Sequence, residues 1–327
     1  MIAQALLLVA LAGPPARAAA VQPQAQPKAS PRRPVRVLPG VDVELKTKDG
    51  WTLAARYSAP KDPALPVFIL LHEVGGRKEN WYFLARAMAK KGIGYLALDF
   101  RGHGGSQSPP PGQPEHWRKF PDPTRLHGAV NEWGEMTKDV DAAAEYLQSQ
   151  KVEVSSIALG GADVGSSIAL KWAAVHPAAP MVFLLSPGMS YHEVLTVNAM
   201  RVYNKRPILM VVGADDNHST RETAILFEFA KRAAGPENTL LLTAEREHGT
   251  RILVVNKGII GKVLDWIGNP LAAVAAAQAP QASTAPALGS PLEGVQPPLP
   301  SDEELTPAST PPAEGGEQEP PSSDSSQ

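Results

Sequence analysis

The strongest constraint on this chain is the stretch Ser156–Trp172, which reads S-I-A-L-G-G-A-D-V-G-S-S-I-A-L-K-W. Its apolar start, Ile157–Leu159, predicts a strand that ends at a glycine cluster, and the apolar residues that follow recur at helical spacing. Gly161 and Gly165 flank Asp163, each two residues away. Glycines at both positions permit a sharp bend and a close approach of helix to strand. The pattern therefore predicts a strand, a tight turn and a helix, with the Asp163 side chain pushed outward.

Strands and helices alternate along the chain on either side of this turn. Apolar runs such as Val67–Leu71 suit strands buried on both faces, and amphipathic helical patterns separate them. The alternation predicts an α/β fold with a mostly parallel, twisted sheet and helices on both faces. Ligands bind such sheets beyond the carboxyl ends of the strands. Five polar residues directly follow predicted strands and are expected at that edge: His72, Asp99, Asp163, Asp216 and His248.

Periodicity also sets the expected bounds of the helices. A Pro-rich segment without a clear period, residues 107–128, is expected to be a long loop. Helices are predicted over residues 79–91, 131–150, 191–203, 220–233 and 252–266.

Composition divides the chain into four segments. Residues 1–18 resemble a signal peptide, because an apolar run too short to span a bilayer precedes small residues around Arg17. Residues 19–39 read as a Pro/Ala-rich linker, and 40–269 as the folded domain. Residues 270–327 lack aromatic side chains and are expected to be a disordered acidic tail, since they bury too little apolar surface. The leader predicts export to the periplasm or outside the cell, with a cytoplasmic location as the alternative.

Charge and cysteine content exclude several kinds of function. The net charge is -2, and the region between the basic leader and the acidic tail is close to neutral, so no nucleic-acid-binding face is expected. The chain has no cysteine, which excludes disulfides, thiolate chemistry and Cys-based metal sites. No spacing of histidines and carboxylates resembles a metal site, and no cofactor or membrane span is expected. A small-molecule substrate or ligand is therefore the expected binding partner. The sequence does not identify a partner for the tail.

Five motifs resemble those of the α/β-hydrolase superfamily, most closely its dienelactone-hydrolase-like and serine-aminopeptidase-like branches. They follow the superfamily's order of nucleophile, acid and histidine. The resemblance implies the α/β-hydrolase fold, and the short segment from Ser186 to Pro207 implies that there is no large cap domain. The motifs are L-L-H-E-V-G-G at 70–76, D-F-R-G-H-G-G-S at 99–106, G-A-D-V-G at 161–165, G-A-D-D at 213–216 and H-G-T at 248–250.

The resemblance also implies a set of catalytic residues. Asp163 takes the position of the nucleophilic serine in the G-x-S-x-G elbow, and His248 takes that of the base. The carboxylate that orients the histidine would be Asp216, because the superfamily's G-x-x-D spacing favours it over Asp215.

Further residues would surround this set. The oxyanion hole would comprise the N–H of Val164 and one near Glu73 and Val74, where Glu73 replaces the commoner glycine. His72 is expected to support the oxyanion loop, and His103 to shape the loop beside the site.

An aspartate at the elbow changes the chemistry that is expected. A carboxylate needs no deprotonation at neutral pH, but its attack on an ester would give an anhydride, an unproductive route. Carboxylates instead attack saturated carbon, displacing halide or opening an epoxide, after which a histidine activates water to hydrolyse the ester. Dehalogenases and epoxide hydrolases of the superfamily use Asp in this way. They usually place an aromatic residue after the Asp, whereas this chain has Val164.

Two function classes therefore stay open at this point. The first is a small-molecule hydrolase, acting on C–X or epoxide bonds as the Asp suggests, or on esters as in the branches that the chain resembles. The second is a non-catalytic descendant in which Asp163 pairs with a protonated His248 and the pocket binds a ligand or partner.

Ser166 and Ser167 are interpreted as helix-start residues, and His192 and His218 as surface residues. Candidate leaving-group donors are Tyr191, Tyr203, Trp117 and Trp133.

Overall fold

The computed structural model describes residues 37–128 and 130–279. Its main sheet has eight strands in the order β1-β2-β4-β3-β5-β6-β9-β10. The six strands from β4 to β10 in that order run parallel, and β1 and β2 form an antiparallel hairpin at one edge. The predicted α/β-hydrolase architecture is thus confirmed. The strands are β1 (Val41–Lys46), β2 (Thr52–Ser58), β3 (Val67–Leu71), β4 (Gly94–Leu98), β5 (Ile157–Ala162), β6 (Val182–Leu185), β9 (Ile208–Gly213) and β10 (Thr239–Ala244). A separate two-stranded ribbon consists of β7 (Ser190–Tyr191) and β8 (Val194–Leu195).

Helices cover both faces of this sheet and build two hydrophobic cores. Strand β3 is wholly buried, with Ile69 in one core and Phe68 and Leu70 in the other. This alternation follows from the two-residue period of a strand. The helices are α1 (Tyr82–Lys91), α2 (Glu132–Glu135), α3 (Thr137–Ser149), α4 (Val164–Val175), α5 (Val197–Val202), α6 (Asn217–Ala233), α7 (Ile252–Val255), α8 (Ile259–Gly268) and α9 (Pro270–Gln278).

Three predicted helices are interrupted in the structure. The helix expected over 131–150 divides into α2 and α3 at Met136, and the one over 252–266 divides into α7 and α8 before Gly258, whose φ is 83°. The helix expected over 191–203 is wrong in its first half. There His192 and Glu193 adopt positive φ and turn the chain from β7 into β8, so only α5 is helical.

The described fold also extends beyond the predicted domain boundary at residue 269. Residues 270–278 form α9, whose first turn is capped by the Asn269 side chain. Val274 is buried against the same core as α8. The expectation of disorder from residue 270 is therefore wrong for this helix, because alanine favours helices and one buried valine anchors it. At the other end, Leu38 of the predicted linker is buried as well.

The remaining sequence predictions for the two ends lie outside the described residues. They concern the leader at 1–18, residues 19–36 of the linker and the tail from residue 280. Within residues 37–128 and 130–279, none of the helices has the length and apolarity needed to cross a membrane.

Candidate active site

Asp163 lies at the turn between β5 and α4 in a backbone conformation that non-glycine residues seldom adopt. Its φ is 53° and its ψ is -121°. A Cβ atom on Gly161 would lie 2.2 Å from the Gly165 oxygen, and one on Gly165 would lie 2.3 Å from the Leu71 oxygen. Both glycines are therefore required for the helix to approach the sheet this closely. The turn directs Asp163 beyond the carboxyl end of β5.

The two oxygens of the Asp163 carboxylate have different surroundings. Oδ2 accepts a hydrogen bond of 3.1 Å from the backbone N–H of Val74. Oδ1 lies 3.8 Å from Nε2 of His248. The Asp163 side chain is only 10% exposed. One oxygen is thus fixed by a backbone amide, while the other faces the histidine.

His248 is fixed in turn by Asp216, which follows β9. The distance from His248 Nδ1 to Asp216 Oδ2 is 2.6 Å, and Ser219 Oγ lies 3.3 Å from the same nitrogen. Burial alone would lower the pKa of His248, but the nearby Asp163 carboxylate and the hydrogen-bonded Asp216 carboxylate outweigh this effect and raise the pKa to about 9. At neutral pH the histidine is therefore protonated and paired with two carboxylates.

Asp216 is also held in its charged form. Burial would raise the pKa of Asp216, yet hydrogen bonds from Ser219 and His248 lower it overall. The neighbouring Asp215 is engaged elsewhere, since its Oδ1 accepts a hydrogen bond of 2.7 Å from the backbone N–H of Glu247. Of the two aspartates that the sequence offers, the structure thus brings Asp216 to His248.

Val74, rather than Glu73, supplies the amide that faces Asp163. The second predicted donor, the Val164 N–H, is in the first turn of α4, where helix amides have no intrahelical acceptor. The Glu73 side chain points to other loops: its Oε1 accepts hydrogen bonds of 2.6 Å from both Asn80 and Thr250. Glu73 therefore joins the loop after β3 to the loop that carries His248, a link that motif spacing does not predict.

His72 and His103 are buried behind the loop after β3. His72 Nε2 accepts a hydrogen bond from the Phe100 backbone N–H at 3.0 Å, and its Nδ1 donates to the backbone oxygen of Glu73 at 2.7 Å. Burial lowers the pKa of both rings, that of His103 to about 2, so both are neutral. The His103 ring stacks on Trp117 at 5.5 Å between centroids.

Aromatic rings line the site on the side of the ribbon β7–β8. Tyr191 packs edge-on to His248 with centroids 6.4 Å apart, and its hydroxyl contacts Ser219 Oγ at 3.1 Å. His192 stacks on Trp133 at 3.8 Å and is half-buried, so its assignment as a surface residue is wrong. Tyr203, another predicted donor, lies apart, because its hydroxyl donates to the Pro207 oxygen.

Asp99, like His72, is a predicted edge residue whose side chain bonds to groups other than Asp163 and His248. Its carboxylate is fully buried and accepts hydrogen bonds from the Lys78 ammonium and from the amides of Lys78 and Gly105. No group of three or more potential metal-ligating side chains was found among the residues that the structure describes.

Comparison with known proteins agrees with this architecture. Residues 62–206 match the model of the hydrolase family described as serine aminopeptidase, S33. This match includes the elbow and ends before Asp216 and His248. Two uncharacterized proteins of Mycobacterium tuberculosis, MT2364 of strain CDC 1551 and Rv2307c of strain H37Rv, are each 32% identical over 168 residues. That alignment covers 50% of this chain and 51% of each relative, so the chain spans about half the length of the curated relatives it matches.

Solved structures show the same fold at low identity. The esterase Pf2001 of Pyrococcus furiosus is 17% identical with a TM-score of 0.54, covering 71% of this chain and 90% of its own. Dienelactone hydrolase from Anabaena variabilis is 16% identical with a TM-score of 0.50, covering 69% of this chain and 93% of its own. Together with the match over residues 62–206, these similarities show that the chain has the α/β-hydrolase fold.

Proposed function

We propose that this protein is a small-molecule hydrolase in which the Asp163 carboxylate attacks a saturated carbon that bears a leaving group. The proposal rests on the different surroundings of the two Asp163 carboxylate oxygens. Oδ2 is held by the Val74 amide, while Oδ1 faces His248. Because Oδ2 is held by a hydrogen bond, Oδ1 is the atom that attacks. The carboxylate then loses little conformational freedom on reaching the transition state.

The first step would form an ester and release the leaving group. Asp163 Oδ1 forms a bond to the substrate carbon as the bond from that carbon to halide or epoxide oxygen breaks. The oxygen held by Val74 then becomes the ester carbonyl. When water adds to this ester, negative charge develops on that same oxygen, which the Val74 amide already contacts; the Val164 amide would be its second donor.

The second step needs His248 as a neutral base. In the free protein the Asp163 charge helps to keep the pKa of His248 at about 9. Esterification removes that charge, so the pKa of His248 should fall while Asp216 still orients the ring. The histidine then takes a proton from water, the hydroxide attacks the ester carbonyl carbon, and the alcohol leaves as the carboxylate is restored.

Trapping the ester tests this proposal directly. His248→Ala removes the base, so incubation with haloalkanes and epoxides should give a stable mass gain in intact-protein mass spectrometry that maps to Asp163. The matched control is His176→Ala. His176 lies at the opposite end of α4, about 18 Å along the helix from Asp163. The control should accumulate no adduct, and an adduct elsewhere than Asp163 would overturn the proposal.

An isotope measurement provides a second test in the unmodified chain. A single turnover in H₂¹⁸O should place the label in the Asp163 carboxylate, because water attacks the carbonyl carbon of the ester. Label found only in the product alcohol would instead mean that water attacks the substrate directly, without an aspartyl ester.

A second candidate function is non-catalytic binding of a small molecule, and one observation favours it. The ion pair of Asp163 with protonated His248 is already formed in the free protein. In that case no compound would modify the protein. Ligands from the same panel would still raise its melting temperature, and Asp163→Asn would leave those shifts largely unchanged.

A further inference from the structure

The His248 side chain is 41% exposed, so packing alone does not fix the direction of its ring. In the proposed function the ring pairs with Asp163 before the ester forms and takes a proton from water afterwards. Both tasks require Nε2 to stay on the side of Asp163, which it faces at 3.8 Å. The bond from Nδ1 to Asp216 still lets the ring rotate about it, so the ring needs a second support.

A closed set of hydrogen bonds, the Tyr191 network, supplies this support. Ser219 Oγ lies 3.3 Å from His248 Nδ1, and the Tyr191 hydroxyl lies 3.1 Å from Ser219 Oγ. The Tyr191 hydroxyl is also 3.1 Å from the backbone oxygen of Ser186. The Ser186 hydroxyl in turn accepts a hydrogen bond of 2.9 Å from the backbone N–H of Gly249, the residue after His248. The network thus holds the histidine by its ring and by the adjoining backbone.

Ser186 attaches the Tyr191 network to the main sheet. It is wholly buried, and its φ of 46° is one that non-glycine residues seldom adopt. Its backbone N–H donates to the Val211 oxygen of β9 at 2.7 Å. A strained conformation persists only where the surrounding contacts determine it. The bonds to Tyr191, Gly249 and Val211 therefore fix Ser186, and the network is tied to a rigid element.

The donors of the Tyr191 network follow one another in a single direction. Protonated His248 has no lone pair on Nδ1, so Ser219 Oγ accepts from it. The Ser186 carbonyl can only accept, so Tyr191 donates to it and accepts from Ser219. Burial raises the pKa of Tyr191, and the Asp163 and Asp216 charges add to this effect, so the hydroxyl keeps its proton. That proton is engaged by a carbonyl of the protein rather than left for a leaving group.

We propose that Tyr191 is a positioning residue for His248, which acts through Ser219 to keep Nε2 directed at Asp163 and then at the water that hydrolyses the ester. Ester formation needs only the Asp163 carboxylate, whereas ester hydrolysis needs a correctly directed base. Tyr191 should therefore affect the second step alone. Its effect on ester hydrolysis rests on the proposed function, but its effect on the titration of His248 does not.

The test removes one hydroxyl at a time. Tyr191→Phe keeps the aromatic ring, and Ser219→Ala breaks the Tyr191 network at the next residue. The control for the first is Tyr203→Phe, which removes another tyrosine hydroxyl that donates to a backbone oxygen, that of Pro207 at 2.9 Å. The control for the second is Thr223→Val. Thr223 is buried one turn after Ser219 on the same face of α6.

Two measurements are made on each variant. NMR of ¹³C-labelled histidine gives the titration midpoint of His248, whose signal is the one missing from His248→Ala. Intact mass after an acid quench gives the esterified fraction of the chain during turnover of 1-bromobutane or 1,2-epoxybutane. The same substitutions in the His248→Ala background give the rate of ester formation.

The charges around His248 are the same in all these variants. Asp163 faces the ring from the elbow and Asp216 from the start of α6. Also on α6, His218 lies 6.3 Å from the Tyr191 ring between centroids and 3.5 Å from Glu222. None of these groups is replaced, so a change in the midpoint reports the Tyr191 network.

Tyr191→Phe and Ser219→Ala should each lower the midpoint of His248 by about 0.3 to 1 pH unit, because a net hydrogen bond changes an equilibrium roughly 2- to 10-fold. Ester hydrolysis should slow by a similar factor. The esterified fraction should therefore rise while the rate of ester formation stays the same. Tyr203→Phe and Thr223→Val should change neither quantity.

Three results would overturn the role of Tyr191. The first is an unchanged midpoint in Tyr191→Phe, and the second is an equal change in the control variants. The third is slower ester formation in Tyr191→Phe, which would mean that the hydroxyl serves the leaving group. If no compound esterifies the His248→Ala parent, the proposed function is overturned, and the midpoint alone decides whether Tyr191 positions His248.

Discussion

Asp99 follows β4 and Asp163 follows β5, two strands of one sheet that β3 separates, and both carboxylates are largely buried, yet they are suited to different tasks. Asp99 has an ammonium group and two backbone amides as partners, and its side chain is fully buried. Asp163 has one amide and a histidine at 3.8 Å. A carboxylate with hydrogen-bond donors on both oxygens stabilises a fold, whereas one with an oxygen that accepts no hydrogen bond can react.

The largest expected effect is the loss of reactivity on Asp163→Asn. The amide is a much weaker nucleophile than the carboxylate, so Asp163→Asn in the His248→Ala background should form no detectable ester with any halide or epoxide. The measurement is intact mass after prolonged incubation. Persistent modification at residue 163 would mean that the reaction does not need the Asp163 carboxylate.

The next effect is on stability and concerns Asp99. Asp99→Asn should lower the free energy of unfolding by about 3 kcal/mol, because Lys78 would be left as a largely buried charge without its partner. Asp163→Asn should lower it by less than Asp99→Asn does, since it removes one amide hydrogen bond and an ion pair to a partly exposed histidine. Urea denaturation of both variants makes the comparison. Equal losses in the free energy of unfolding for the two variants would contradict this prediction.

A third prediction exchanges the side chain at the reactive position. Asp163→Ser restores the G-x-S-x-G elbow, with His248, Asp216 and the Val74 amide already in place. Without the Asp163 charge the pKa of His248 should fall towards its ordinary value, so that it acts as a base. Hydrolysis of p-nitrophenyl acetate should rise at least about 100-fold over the wild type and vanish on the further change His248→Ala.

The smallest effect is the pH dependence of stability. The pKa of His248 is about 9 in the folded protein and about 6.5 when unfolded, so the ion pair stabilises the fold fully below pH 6.5. This contribution should be lost as pH rises through 9. Asp163→Asn should flatten that decline in the unfolding free energy, whereas His176→Ala should not alter it. An equal decline in Asp163→Asn would mean that Asp163 does not hold the proton.

Rules that relate short stretches of sequence to local structure predicted much of this fold. Two glycines around Asp163 determine the elbow by sterics alone, and the all-apolar strands indicate burial on both faces. The same rules were insufficient for the ribbon at Tyr191 and His192, where a helical pattern yields to a turn fixed by Asn131 and Glu222 from other elements. The stacking of His192 on Trp133 was missed for the same reason, since it forms only when distant segments pack.

The link made by Glu73 has a consequence for motion. Thr250 and Glu73 are 177 residues apart, yet a hydrogen bond of 2.6 Å joins the histidine loop to the loop that bears the Val74 amide. Opening either loop should break that bond, so the two should open together as one unit. In native-state hydrogen exchange, the amides of Val74 and Gly249 should therefore exchange with similar opening free energies, and Glu73→Ala should separate them.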